Sequence, residues 1–296
     1  MNALLLNAWR LTYDSVNEWM NDRASRKGAA LAFYTVFSLA PILILSIAIA
    51  GLFFGEEAAR GEIYDQVKGL LGNEAAAAVQ AMIQNASKPG AGILATLIGF
   101  VTLFIGATTA LAELKDGLDQ IWDAPAEKTQ GFFYFLRKRL LSVGLILSLG
   151  FLLLVSLVLS AIISALARAW GPQDLTGVVL QAVNFIFSFA LVTLLFAMIY
   201  KILPAVSIAW KDVVVGATIT ALLFSIGKWL IGLYLGNSAV ASTYGAAGSV
   251  ILVLIWVYYS AQIFLLGAEF TKVYTYRYGS RRNLPRPSRQ PAPVAR

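Results

Sequence analysis

The sequence contains no cysteine and no histidine among its 296 residues. The absence of cysteine excludes disulfides, thiol nucleophiles and thiolate metal sites. The absence of histidine removes the most common metal ligand and the most common general base at neutral pH. Charged residues are also scarce, at 13% of the chain, whereas 58% of the residues are hydrophobic. A soluble chain of this length needs more polar surface to cover its core, so the composition predicts a membrane protein.

Six apolar stretches are long enough to cross a bilayer as helices, which takes about 20 residues each. They lie near residues 28–54, 91–112, 140–167, 177–200, 213–235 and 245–268. The predicted fold class is therefore all-α, a polytopic membrane protein with six transmembrane helices. An even number of spans places both termini on the same side.

The predicted domain organisation has three parts. Residues 1–27 form an N-terminal cytoplasmic amphipathic helix at the membrane interface. Residues 28–270 form the transmembrane domain, with an external loop over 55–90 whose two apolar stripes predict two short amphipathic helices, either flat on the membrane or acting as a lid. Residues 271–296 are rich in Arg and Pro and are predicted to be a disordered basic cytoplasmic tail. The apolar side of the N-terminal helix is expected to consist of Leu5, Trp9, Thr12, Val16 and Trp19.

The distribution of basic residues predicts the orientation of the chain. Eighteen Lys and Arg residues lie on the side of the termini, and four lie on the opposite side. The positive-inside rule therefore places both termini in the cytoplasm. The net charge of +7 is explained by this topology and by contact with lipid headgroups, so membrane lipids rather than nucleic acid are the expected partners.

Lys228 is a charged residue inside a predicted span. It lies about 15 residues, or roughly 22 Å, into the fifth span at 1.5 Å per residue, and therefore in the outer half of the bilayer. A lysine at this depth either extends its ammonium group to the headgroups or faces a cavity, where it binds an anionic substrate or a carboxylate. Both interpretations stay open at this point.

Uncharged polar residues in the spans are further candidates for lining a cavity and binding a substrate. Those in the fourth span share one helix face through spacings of three and four residues. Hydrogen bonding between helices is the alternative explanation. The candidates beside Lys228 are Tyr34, Ser38, Gln181, Asn184, Ser188, Tyr258 and Gln262.

Two carboxylates and one proline are interpreted structurally. Glu113 and Glu269 lie at the inner ends of their spans, where water reaches them easily. Glu269 is expected to pair with Lys272 one turn along the helix. Pro41 lies in the middle of the first span, where it frees a carbonyl group and is a candidate helix kink.

Small residues indicate where the spans pack closely, because lipid gives helices no hydrophobic reason to associate. The fifth span has Gly232 and Gly236 four residues apart, and the sixth begins with Gly245, Gly248 and Ser249. We expect these residues to form helix contacts.

No catalytic or cofactor-binding motif is found in the sequence. It has no Walker-type phosphate loop, no GxSxG and no HExxH. Nearly all of its 16 carboxylates lie in loops or at interfaces, without the convergence that a carboxylate-metal nuclease needs. We therefore expect no metal, no cofactor and no enzymatic activity.

Several segments resemble the YihY/BrkB family of bacterial inner-membrane proteins. They read RKGAALAFYTVFSLAPILIL, ALAELKDGLDQIWD, KILP followed by WKD, and GKWLIGLYLGN continued by STYGAAGSVILVLIWVYYSAQIFLLGAE. The resemblance covers about residues 25–270 and implies six spans, cytoplasmic termini and the inner membrane. The family has carried a ribonuclease label, which this sequence does not support chemically. Some members resemble exporters of lipid or other amphipathic molecules, and the resemblance supplies no site residues.

Three hypotheses follow for the function. The first is a transporter or flippase-like protein for an anionic amphipathic molecule of the envelope. The alternative is a structural or scaffolding envelope membrane protein without transport activity. An intramembrane enzyme or nuclease is the least favoured.

Overall fold

The computed structural model describes residues 3–55, single positions within 57–83, and residues 109–125, 175–236 and 248–285. All regular structure within these residues is helical, which confirms the all-α prediction for this part of the chain. A helical stretch covers residues 109–121. The helices with defined bounds are α1 (Ala3–Asn21), α2 (Ala24–Phe54), α3 (Leu175–Ile202), α4 (Trp210–Gly236) and α5 (Gly248–Arg277).

Three of these helices contain segments long and apolar enough to cross a membrane. The segments are Phe185–Ile202 in α3, Trp210–Tyr234 in α4 and Val250–Arg277 in α5. The first predicted span coincides with α2, whereas the second is described only from residue 109 onward and the third, over 140–167, lies outside the described residues. Helices long and apolar enough to cross a membrane are therefore confirmed within the described residues, and the number six stays a prediction.

A tight turn joins α1 to α2. Arg23 has a left-handed backbone conformation with φ of 50°, and its N–H donates to the carbonyl of Met20 at 3.1 Å. The backbone of α2 is then helical through Pro41, so the candidate kink does not end the helix. Gly55, with φ of 85°, ends α2 in a conformation that glycine adopts without strain.

The side of α1 that faces outward differs from the predicted one. The exposed apolar residues are Leu6, Trp9, Tyr13, Val16 and Met20. Trp9 and Val16 were expected on this side, whereas Trp19 is half-buried and lies about 60° around the helix from Val16. A helical repeat shows which residues share a face, and the contacts of α1 decide which face is covered.

The described positions between 57 and 83, within the predicted external loop, are helical. Ala76, Val79 and Ile83 are buried, at 0%, 2% and 8% exposure. Their spacing of three and four residues places them on one helix face. This agrees with the apolar stripes predicted for the loop, while a role of the loop as a lid stays a prediction.

The chain divides into two compact units. In the first unit, Leu118, Ile121 and Trp122 bury one face of the helical stretch over 109–121, each at no more than 1% exposure. In the second unit, buried residues of α4 and α5 form an apolar cluster. The first unit consists of Met1–Glu18, Leu118–Leu222 and Gly267–Arg296, and the second of Trp19–Gly117 and Leu223–Leu266.

In the first unit, α4 and α5 contact each other through two reciprocal glycine–threonine pairs. A Cβ atom added at Gly216 would lie 2.7 Å from Thr271 Cβ, and one added at Gly267 would lie 2.8 Å from Thr220 Cβ. Each threonine hydroxyl donates within its own helix, Thr271 to the Gly267 carbonyl at 2.7 Å and Thr220 to the Gly216 carbonyl at 2.8 Å. The glycines therefore allow close packing, and the threonines fill the space without an unsatisfied hydroxyl.

The helix contact predicted at Gly232 is not found among the described residues, where an added Cβ atom would meet nothing within 4 Å. Gly232 lies about 160° around the helix from Gly216, at about 100° per residue. The two glycines are therefore on opposite sides of α4, and the side of Gly216 meets α5.

The chain after residue 270 is more ordered than predicted in its described part. α5 continues to Arg277, and turns follow. Ser280 donates to the Asp212 carboxylate through its backbone N–H at 2.8 Å and its hydroxyl at 2.6 Å. Residues 271–285 thus belong to the fold, because their polar groups find partners there, whereas 286–296 lie outside the described residues.

Candidate functional site on helices α4 and α5

An apolar cluster forms where α4 meets α5 in the second unit. Ile231 and Trp256 are buried members of this cluster. The ring of Phe224 packs edge-on against Trp256, with centroids 5.9 Å apart and an interplanar angle of 88°. A Cβ atom added at Gly227 would lie 2.6 Å from the Tyr259 hydroxyl, so this glycine permits the close approach of the two helices.

Lys228 lies beside this cluster, and its side chain is exposed. At about 100° per residue, Lys228 is within about 60° of Phe224 and Ile231, which pack toward α5, and at least about 140° from Ile226 and Leu233. Ile226 and Leu233 are 49% and 48% exposed and mark the outward side of α4. Lys228 is therefore exposed at the edge of the side of α4 that packs on α5. We call the group formed by Phe224, Lys228 and Ile231 the Lys228 site.

The depth of Lys228 determines its chemistry. It lies within the apolar segment Trp210–Tyr234, about 9 Å before the end of that segment at 1.5 Å per residue. A charge at the centre of a bilayer costs about 2.5–3.5 kcal/mol on insertion scales, so a charged side chain at membrane depth favours water or an opposite charge. The ammonium group offers three hydrogen-bond donors to a phosphate or carboxylate group.

The other predicted cavity residues occupy different environments. Ser188 is exposed and Tyr34 is half-buried, while Tyr258 is 37% exposed. Their convergence with Lys228 on one cavity stays a prediction. The side chains of Ser38, Pro41, Gln181 and Asn184 lie outside the described residues.

Gln262 is a contact residue between α2 and α5. Its Nε2 donates to the carbonyl of Ser25 at 3.4 Å. A Cβ atom added at Gly28 would lie 3.0 Å from Gln262 Cδ, so Gly28 leaves room for the amide. Gln262 Oε1 is buried without a hydrogen-bond partner among the described residues. The amide therefore joins two helices, which agrees with the helix-packing alternative for this residue.

The interface charges form contacts that the sequence did not predict. Lys272 pairs with Asp123, with Nζ and Oδ2 2.6 Å apart and the side chains 10% and 24% exposed. Asp123 adopts a left-handed conformation with φ of 47° directly after the 109–121 helix. The sequence predicted an ion pair between Lys272 and Glu269 because they lie one turn apart on the same helix. The contact with Asp123 was not predicted, since Asp123 is far away in the sequence.

The environments of Glu113 and Glu269 also differ. Glu113 is half-buried. Glu269 is fully buried, at 0% exposure, so its expected contact with water was wrong. One of its carboxylate oxygens lies within 4.8 Å of one from Glu18. The first unit thus places two acidic groups side by side on the polar side of α1.

Two arginines at the end of α5 complete the polar contacts of the first unit. Arg277 Nη1 donates to Asp14 Oδ2 at 2.6 Å. Arg281 Nη2 donates to the Ser207 carbonyl at 2.7 Å, and its guanidinium lies 5.8 Å from the centre of the Trp122 ring. Sequence composition had assigned both arginines to a disordered tail, because their partners are distant in the chain.

A family model described as Virulence factor BrkB matches residues 15–292. This chain belongs to the BrkB family. Membership confirms the resemblance seen in the sequence and agrees with the apolar helices of the structure. The chain is therefore a membrane protein of this family.

Curated relatives carry the name UPF0761 membrane protein. The relative from Stenotrophomonas maltophilia (strain R551-3) is 28% identical over 259 residues, which cover 86% of this chain and 58% of the relative. A relative from Pseudoalteromonas atlantica is 29% identical over 266 residues, covering 87% and 83%. One from Pseudomonas paraeruginosa is 26% identical over 276 residues, covering 92% and 64%.

The BrkB-family chain thus spans less than two thirds of the length of the Stenotrophomonas relative, at 58%. No solved structure gives a significant match to it. The names of these relatives include neither a substrate nor a reaction.

Proposed function

We propose that this BrkB-family protein moves an anionic amphipathic molecule of the bacterial envelope across the inner membrane, as a flippase-like transporter and not as an enzyme. The observation that carries the proposal is the exposed position of Lys228, a charged residue within an apolar segment, at the edge of the packed side of α4. An amphipathic substrate needs a polar site for its headgroup within an otherwise apolar path.

The surroundings of the Lys228 site match the two halves of such a molecule. The ammonium group of Lys228 suits a phosphate or carboxylate headgroup, because a hydrogen bond to a charged group is stronger than one between neutral groups. Phe224 is half-buried and packs edge-on against Trp256, so apolar surface lies next to the ammonium group.

The proposed topology follows from charge. We infer six spans, with both termini in the cytoplasm, from the eighteen Lys and Arg residues on the side of the termini against four on the other. This orientation places Lys228 in the outer half of the bilayer. The headgroup would therefore meet the lysine near the outer end of its path.

The test measures lipid movement in proteoliposomes. Fluorescent phosphatidylglycerol is incorporated, and dithionite bleaches the label in the outer leaflet only. We expect the wild-type protein to move labelled lipid from the inner leaflet to the outer leaflet, where dithionite bleaches it. Lys228→Met should slow this movement about tenfold, since a hydrogen bond to a charged group contributes about 1.5–3 kcal/mol. Lys228→Arg should keep most of the rate because it keeps the charge.

Lys211→Met is the matched control, because Lys211 is an exposed lysine in the first turn of the same helix. Its removal should leave the rate unchanged. The proposal fails if wild-type protein moves phosphatidylglycerol no faster than protein-free vesicles, or if Lys228→Met matches the wild type.

A scaffolding role is the second candidate, and the reciprocal packing of α4 on α5 favours it. Gly216 and Gly267 bring the helices together against Thr271 and Thr220, as in a rigid bundle. A scaffold predicts no lipid movement by the wild-type protein, and envelope phenotypes that respond to packing variants but not to Lys228→Met.

A further inference from the structure

Helix α1 exposes its apolar side. Five residues on this side are between 38% and 69% exposed. At about 100° per residue, they fall within a stripe about 80° wide. We call this stripe the α1 stripe; it consists of Leu6, Trp9, Tyr13, Val16 and Met20.

The polar side of α1 packs against the rest of the protein. Asp14 accepts a hydrogen bond from Arg277 at 2.6 Å. Ser15 is 2% exposed, and its hydroxyl donates to the carbonyl of Leu11 at 2.7 Å. Glu18 lies on the same side of the helix and is half-buried. α1 is therefore fixed in rotation with its acidic groups inward.

The charge around the α1 stripe is basic. Arg10, Arg23 and Arg26 are all exposed, on α1 and in the turn and first residues that follow it. Asp14 and Glu18 lie on the opposite side of α1, so the outward side presents apolar groups and arginines together. This combination complements a surface with an apolar interior and anionic headgroups.

We propose that the α1 stripe docks into an anionic lipid leaflet. Trp9 and Tyr13 lie at headgroup depth, where amphipathic aromatic rings are favoured. Arg10, Arg23 and Arg26 bind lipid phosphates. A second copy of the chain fits the stripe less well, because pairing two α1 helices face to face would bring their arginines together. This docking does not depend on transport at the Lys228 site.

The experiment uses the full chain, whose lack of cysteine allows single spin labels. Nitroxides are attached at Val16→Cys and Tyr13→Cys on the stripe. Asn17→Cys is the matched control for Val16→Cys, since Asn17 is exposed, follows Val16 directly and lies about 100° from it around the helix, just beyond the edge of the stripe. Collision with oxygen and with a water-soluble nickel chelate reports immersion, in nanodiscs of phosphatidylcholine with and without phosphatidylglycerol.

We expect the labels at positions 13 and 16 to become more accessible to oxygen and less to nickel when phosphatidylglycerol is present, with a smaller change at position 17. Each of Arg10→Gln, Arg23→Gln and Arg26→Gln should lower the ratio of immersed to water-exposed label about fivefold, since one basic residue at an anionic surface contributes about 1 kcal/mol. Equal nickel access at positions 16 and 17 in phosphatidylglycerol would overturn the proposal. Spin–spin coupling between stripe labels of two copies would also overturn it, in favour of self-association.

Discussion

Replacing Gly216 by alanine inserts a methyl group into the contact between α4 and α5. The added carbon would lie 2.7 Å from Thr271 Cβ and 2.8 Å from Thr271 Cγ2, whereas carbon atoms in contact are optimally about 3.5–4.0 Å apart. Thr271 is fully buried at 0% exposure, and its hydroxyl is held by the Gly267 carbonyl. Removing the steric overlap between the new methyl group and Thr271 therefore requires α4 and α5 to separate by roughly 1 Å.

The magnitude follows from two opposing effects. Overpacking a well-packed contact costs about 1–3 kcal/mol. Alanine favours the helix over glycine by up to about 1 kcal/mol, which offsets part of that loss. We expect Gly216→Ala to lower the free energy of unfolding by about 1–2 kcal/mol. Gly216→Val should lower it further, because a branched side chain fills more of the contact.

The assay is equilibrium unfolding in mixed micelles with increasing SDS, followed by tryptophan fluorescence. Gly232→Ala is the matched control on the same helix, because an added Cβ atom there meets nothing within 4 Å. We expect it to be neutral or slightly stabilising.

A double variant tests the geometry directly. Thr271→Gly removes the atoms that the new methyl group meets, so Gly216→Ala with Thr271→Gly should be more stable than the sum of the single effects. The reasoning is refuted if Gly216→Ala and Gly232→Ala unfold at the same SDS content, or if the free-energy changes of the two substitutions in the double variant are additive.

Two further variants address the polar contacts of the first unit. Asp123→Asn should lower the free energy of unfolding by about 2–3 kcal/mol, because Lys272 keeps its charge although its side chain is only 10% exposed. In the same SDS titration, the double variant Asp123→Asn with Lys272→Met should recover most of this loss. A double variant as unstable as Asp123→Asn would contradict the ion-pair argument. Arg281→Lys should speed hydrogen–deuterium exchange over residues 278–285, since lysine cannot stack its charge flat on Trp122. Arg282→Lys, at an exposed position, should not change this exchange, and equal effects of the two variants would show that Trp122 is not the relevant contact.

The helices were largely predictable from sequence. Continuous apolar runs with flanking polar residues predicted α2 to α5 because a bilayer requires each crossing segment to satisfy its own backbone. Boundaries were less accurate where polar residues continue a helix, as in the extension of α5 to Arg277. Local apolar patterns do not show that such residues find partners elsewhere in the fold.

The candidate site was predicted only in part. Lys228 stood out because a charge inside an apolar run is rare. The contacts of Lys272 with Asp123 and of Arg281 with Trp122 were missed, because each joins residues far apart in sequence. The glycines that bring α4 to α5 were also not those expected, since every glycine looks alike until the partner helix is known.

The sequence by itself determined that the chain is a helical membrane protein and which family it belongs to, because composition and long apolar runs report directly on the surrounding solvent. The helical period also determined which side chains share a face. Only the tertiary structure decided which face meets the protein. That choice placed Lys228 at the edge of the packed side of α4 and turned the acidic side of α1 inward, because rotation of a helix about its axis is fixed by contacts with other helices and not by its own repeat.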